Sequence, residues 1–157
     1  MDQDLLKAIK QANVALDHGR NTMVVIRGNK IVYHSKERGL KPLLSLLENN
    51  PEVLIGSIIG DRVVGRAAAF LCLYAKVKAV FAMSIADEAI DILEKHGCFP
   101  AWLEATPYLV ERNMPSRNKL DLALHDIEDP ELAFAAIKRY FVENPPDDCE
   151  TNMPSQA

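Results

Sequence analysis

The stretch Gly56-Ser57-Ile58-Ile59-Gly60-Asp61-Arg62-Val63-Val64-Gly65-Arg66-Ala67-Ala68-Ala69-Phe70-Leu71 decides how this chain folds. Its first part continues an apolar run from Val53, and residues 53–59 read as a short strand. Its second part opens a segment in which Val63, Val64, Ala67, Ala68, Phe70, Leu71, Cys72, Leu73 and Tyr74 cover nearly the whole circumference of a helix over 62–76. Such a helix is central and buried. Its polar residues fall only at the start, where Asp61, Arg62 and Arg66 stand together. At that spacing Arg62 and Arg66 share a helical face. Free amide N–H groups and two cations at one helix start favour an anion. Two readings stay open for each residue. Asp61 is either the N-cap or a polar contact of a site. The arginines either pair with Asp61 and Glu52 or bind a phosphate or carboxylate.

Residues 78–83 form the next strand, apolar on consecutive positions after Lys78, which signals a strand covered on both faces. A helix follows over 84–95 and stops at Gly97. Ser84 and Asp87 have the spacing of a capping box, with Asp in place of the commoner Glu. Alternatively they line a polar cleft where two helix starts lie side by side, beyond the carboxyl ends of the parallel strands.

Upstream, Leu5, Leu6, Ile9, Ala12 and Leu16 predict a helix over 4–17. Residues 22–27 and 30–34 form a hairpin around Gly28-Asn29. Gly39-Leu40-Lys41-Pro42 opens a helix that Asn49-Asn50-Pro51 stops. Downstream, 99–103 and 108–111 read as one strand or two short ones, and 120–125 as a helical turn. Asp129-Pro130-Glu131 caps a last helix to 141. This order predicts a three-layer α/β/α protein with a mixed sheet, one domain over 1–143 and a flexible tail over 144–157.

The chain has 157 residues, 48% apolar and 25% charged, with a net charge of -4. The acidic balance argues against DNA or RNA as partner. No apolar run approaches a membrane span, and the N-terminus has no signal-peptide pattern, so a cytoplasmic protein is expected. Cys72, Cys98 and Cys149 make no spacing motif. No glycine-rich phosphate or dinucleotide fingerprint is present, and no cofactor or metal is expected. Of the four histidines, His125 in its acidic neighbourhood is the one held as a metal or acid–base candidate. The basic, polar stretch from Arg112 and Asn113 to Arg117 and Lys119 either reaches an anion near Arg66 or is a solvated loop.

Three pieces, Gly39-Leu40-Lys41-Pro42-Leu43-Leu44, Asp61-Arg62-Val63-Val64-Gly65-Arg66-Ala67-Ala68-Ala69 and Pro107-Tyr108-Leu109-Val110-Glu111-Arg112-Asn113, together resemble a small bacterial family of uncharacterised proteins, the domain of unknown function numbered 1893. The resemblance covers roughly residues 10 to 120. It implies a cytidine deaminase-like fold and a homo-oligomer, at least a dimer. Family members tend to carry an Asn-Arg pair followed by Cys-Pro-Met-Glu. Here Glu111-Arg112-Asn113 is followed by no such segment. Working deaminases bring a His or Cys with a nearby Glu, and a Cys pair, to the starts of two neighbouring helices. The matching places here, around Asp61 and around Ser84–Asp87, hold no Cys, His or Glu. The resemblance therefore concerns the backbone.

Three functions follow. The first is a pocket without zinc that binds a small anionic metabolite or nucleotide through Asp61, Arg62, Arg66, Ser84, Asp87, Arg112 and Asn113. The second is a non-catalytic, self-associating interaction or structural module. The third is a divergent nucleoside or base deaminase, with Asp61, Asp87 or His125 as conceivable zinc ligands. No residue is singled out as catalytic.

Overall fold

The computed structural model describes residues 2–109 and 119–144. Helix α1 (Gln3–Asp17) is opened by Asp2, whose carboxylate accepts from the Asp4 N–H. Strands β1 (Met23–Arg27) and β2 (Lys30–Ser35) form the expected hairpin, with Gly28 and Asn29 both at positive φ, as the favoured two-residue turn requires. Helix α2 (Lys41–Asn49) carries Pro42 in its first turn.

The boundaries then depart from the sequence reading. Pro51–Val53 is a turn of 3-10 helix, and the strand expected over 53–59 is instead β3, Ile58–Val64. Gly60, Asp61, Arg62, Val63 and Val64 are therefore extended, as β-branched residues favour. Helix α3 (Arg66–Tyr74) starts four residues later than expected, with Gly65 at its N-cap position. Asp61 is thus not the N-cap, and Arg62 and Arg66 share no helical face. Strand β4 (Ala79–Ala86) likewise runs past Met83 through Ser84, and α4 (Asp87–Lys95) begins where it ends. The Ser84–Asp87 capping box does not form: Ala86 is the N-cap residue and makes no side-chain cap bond. Phe99–Thr106 is one continuous strand, β5. Short α5 (Lys119–Ala123) matches the expected helical turn. Helix α6 (Pro130–Glu143) is capped by Asp129, which accepts from the Leu132 N–H at 3.1 Å.

The five strands form one mixed sheet in the order β2-β1-β3-β4-β5. β1 is antiparallel to β2 and β3, while β3–β4 and β4–β5 are parallel. Among the described residues one face is covered by α1 alone, through Leu5, Ala8, Ala12 and Leu16 against Val24, Ile26, Ile58, Ala79 and Phe81. Gly60 leaves room there: a Cβ would come within 2.9 Å of Ala12 and Val24. The other face carries α2 to α6 over the larger core. Phe70, Leu71, Ile59, Ile85 and Leu93 are fully buried in it, each worth about 1.5–3 kcal/mol in apolar transfer. This is the three-layer α/β architecture with a mixed central sheet.

Candidate functional site

Alternation along β3 assigns its polar residues to opposite faces. Asp61 lies between Met23 of β1 and Ala82 of β4, both in the larger core, and so faces α3. It is half-buried in the middle of β3, between its two neighbouring strands. Burial pushes its carboxyl from 3.8 up to about 7, although the backbone N–H groups of Val63 and Arg62 donate to it. The amides favour the charged form, and loss of solvation outweighs them. Two residues further along β3, Val63 is 50% exposed, while its neighbour Val64 is fully buried in the larger core. Ser84, partly buried, is the β4 residue paired with Val63 and shares that face.

Arg62 points the other way. Its Nε donates to the Asn21 carbonyl at 2.8 Å and its Nη2 to the Leu16 carbonyl at 2.5 Å. Nη1 lies 3.8 Å from the Met83 sulfur. The guanidinium thus closes the C-terminal end of α1, where carbonyl groups lack intrahelical partners.

Arg66 is 5% exposed. Its Nε donates to the Leu124 carbonyl at 2.7 Å and its Nη2 to the Ile127 carbonyl at 2.6 Å. Glu128 pairs with Nη2 at 2.9 Å and Glu88 with Nη1 at 3.6 Å. The guanidinium also lies 5.4 Å from the centre of the Phe70 ring, within cation–π range. Hydrogen bonds from Arg66 and then Lys95 hold the exposed Glu128 carboxyl below its usual range.

The start of α3 is occupied by Asp121, which is 5% exposed. Its Oδ2 accepts from the Arg66 N–H at 2.8 Å and its Oδ1 from the Ala67 N–H at 2.9 Å. Gly65 permits this approach, since a Cβ there would fall 2.1 Å from Asp121 Oδ2. The anion that the sequence called for at this helix start is supplied from α5 of the same chain.

Of the expected site residues, Asp61 and Ser84 therefore come together on one face. Arg66 lies on that face too but is bonded to Asp121 of α5, to Glu88 of α4 and to the segment between α5 and α6. Arg62 lies across the sheet, and Asp87 is exposed in the first turn of α4. Arg112 and Asn113, like Cys149 and residues 145–157 of the expected tail, fall outside the described residues. Cys72 and Cys98 are buried; burial drives the Cys72 thiol well above its ordinary range and the Cys98 thiol to about 11, which leaves both protonated and inert. His125 is exposed, with Nδ1 against the Leu122 carbonyl at 2.9 Å and Nε2 3.2 Å from Asp126. Among the described residues no three His, Cys, Asp or Glu side chains are grouped to hold a metal ion, and no helix is long and apolar enough to cross a membrane.

The sequence reading missed Asp121, Glu88 and Glu128 as partners of the α3 start. Its available signal was Asp121 alone within Leu120-Asp121-Leu122-Ala123-Leu124, an acid where the pattern calls for burial.

The fold matches a crystal structure of a DUF1893 family protein from Thermotoga maritima, with a TM-score of 0.78 at 23% identity over 90% of this chain and 92% of that one. RibD from Acinetobacter baumannii aligns more loosely, with a TM-score of 0.47 at 12% identity over 64% of this chain and 36% of that one. No curated protein matches. The sequence model for the domain of unknown function DUF1893 covers residues 11–141, and the chain belongs to that family, with the mixed α/β fold of its solved relative.

Proposed function

We propose that this protein keeps a deaminase-like backbone without zinc chemistry and binds a small metabolite on the β3–β4 face, with Asp61 as the polar anchor. One observation carries the reading. A half-buried carboxyl is held at about 7 where a neutral side chain would cost the fold less. Near neutral pH such a group both donates and accepts hydrogen bonds, which suits the amino and imino edge of a nucleotide base. Ser84 is the neighbouring contact, with Asp87 at the rim. The anionic end of the ligand is assigned to Arg112 and Asn113 rather than to Arg62 and Arg66, whose guanidinium groups hold carbonyls and carboxylates of this chain. Asp121 likewise fills the α3 amides. A cytoplasmic location belongs to the same proposal.

The test is a thermal-shift and calorimetric titration of nucleosides and nucleoside monophosphates. At least one compound raises the Tm of the wild type, with an affinity that changes across pH 7. Asp61→Asn, whose amide oxygen can still accept the Val63 and Arg62 N–H groups, loses that response. No response from any compound, or an unchanged response in the variant, removes the reading. A different observation favours the second reading, a self-associating module: Phe99, Trp102 and Leu103 on β5 are all exposed.

A further inference from the structure

We propose that two copies of this chain pair antiparallel through the free edge of β5, about a two-fold axis at Leu103, to form one continuous sheet. The inference gives the self-association reading its surface and is independent of any ligand at Asp61.

β5 ends the sheet. The Phe99 N–H donates to the Lys78 carbonyl at 3.3 Å. In a parallel pair alternate residues turn their N–H and C=O to the same side. Phe99, Ala101, Leu103 and Ala105 therefore bond to β4, and Pro100, Trp102, Glu104 and Thr106 turn theirs to the open edge. Pro100 stands where its missing N–H breaks no bond within the sheet. The backbone of Trp102 and Glu104 is left to recognise another strand.

The side chains of this edge are apolar for a surface. Leu103 is 59% exposed, Trp102 40% and Phe99 38%. Phe99, Ala101 and Leu103 continue the face that α1 covers over β1, β3 and β4, because their partners Ala79 and Phe81 pack under α1. An unpaired apolar edge of this kind is an aggregation hazard unless a strand covers it.

Self-complementarity selects a second copy as the occupant. With the axis at Leu103, Trp102 of one copy opposes Glu104 of the other, and each pair exchanges both backbone hydrogen bonds. The Pro100 carbonyl receives the Thr106 N–H. Leu103 meets its counterpart in a narrow, non-hydrogen-bonded pair, where side chains approach most closely. The strand carries a single charge, Glu104. This register keeps that charge away from its own copy. Moving the axis to Glu104 sets two carboxylates opposite each other, and moving it to Trp102 pairs Glu104 with Pro100, which has no N–H to return. The opposite edge, β2, begins with Lys30, a charge that guards against edge pairing.

The test uses the full chain in sedimentation velocity and light scattering over a concentration series, with circular dichroism as a check of folding. The wild type is a dimer. Leu103→Glu and Leu103→Lys, at an exposed position, keep the fold and each weaken the dimer by roughly a hundredfold through like charges placed opposite one another. Mixing the two variants restores a heterodimer. A monomeric wild type overturns the proposal. So does a dimer indifferent to Leu103→Glu, or one lost instead by Ile31→Glu on β2.

Discussion

Arg62 and Arg66 are one helical turn apart in sequence number, and the structure sends them to opposite sides of the sheet. Arg62, on β3, reaches the end of α1. Arg66, the first residue of α3, reaches the segment between α5 and α6. Despite the separation they do the same work. Each guanidinium spans backbone carbonyl groups at or just past the end of a helix, a job that Arg27 repeats at the carbonyls of Glu52, Val53 and Ile55. Planar, forked donors suit this task because one side chain satisfies several acceptors at fixed geometry. A cation near a helix start is thus no sign of an anion site until the helix ends around it have been accounted for. The two arginines differ in depth. Arg66 is buried and ion-paired, whereas Arg62 is only part-buried and bonded to neutral groups.

That difference sets the sizes of the expected effects. Arg66→Ala is the most damaging change: it leaves two carbonyls and the carboxylate of Glu88 without their guanidinium, and costs about 3–5 kcal/mol in urea unfolding. Arg66→Lys recovers little of it, because an ammonium cannot span the same acceptors. A loss under about 1 kcal/mol for Arg66→Ala would mean that burial and ion pairing do not set the two arginines apart.

Arg62→Ala costs about 1–3 kcal/mol, and the loosening stays local. Amide exchange accelerates in the last turn of α1 and is unchanged in α6. Faster exchange in α6 as well would show that the two arginines belong to one network.

The smallest effect concerns Asp61 and depends on pH. Its folded carboxyl titrates near 7 and its unfolded carboxyl near 3.8. Between those values the folded state binds more protons, so stability falls as pH rises through the window. Asp61→Asn removes this dependence. The variant matches the wild type near pH 4 and exceeds it by about 1–2 kcal/mol at pH 8, a value kept below the full shift because the carboxyl is only half-buried. Equal stabilities at pH 8 would mean that the carboxylate is well solvated.

Much of the fold is legible in the residues. The Gly28-Asn29 turn, Pro42 in the first turn of α2, the Asp129 cap of α6 and the apolar runs of α3 and β4 all form as their local chemistry dictates. The boundary between β3 and α3 is not legible, because Val63 and Val64 satisfy an apolar helix and an apolar strand equally well. That single ambiguity displaced the candidate site. It turned Asp61 from cap to strand residue, split the two arginines, and hid the capping role of Asp121, which comes from the far end of the domain.

Local pattern and composition determined the element types, their order and the three-layer class, because hydrophobic period, turn residues and caps act over a few neighbours. Only the tertiary structure decided which carboxylate meets which amide. The Asp121 bond to the start of α3 joins residues 54 and 55 apart in the chain. A contact of that range is fixed by packing and desolvation, which no window of sequence contains.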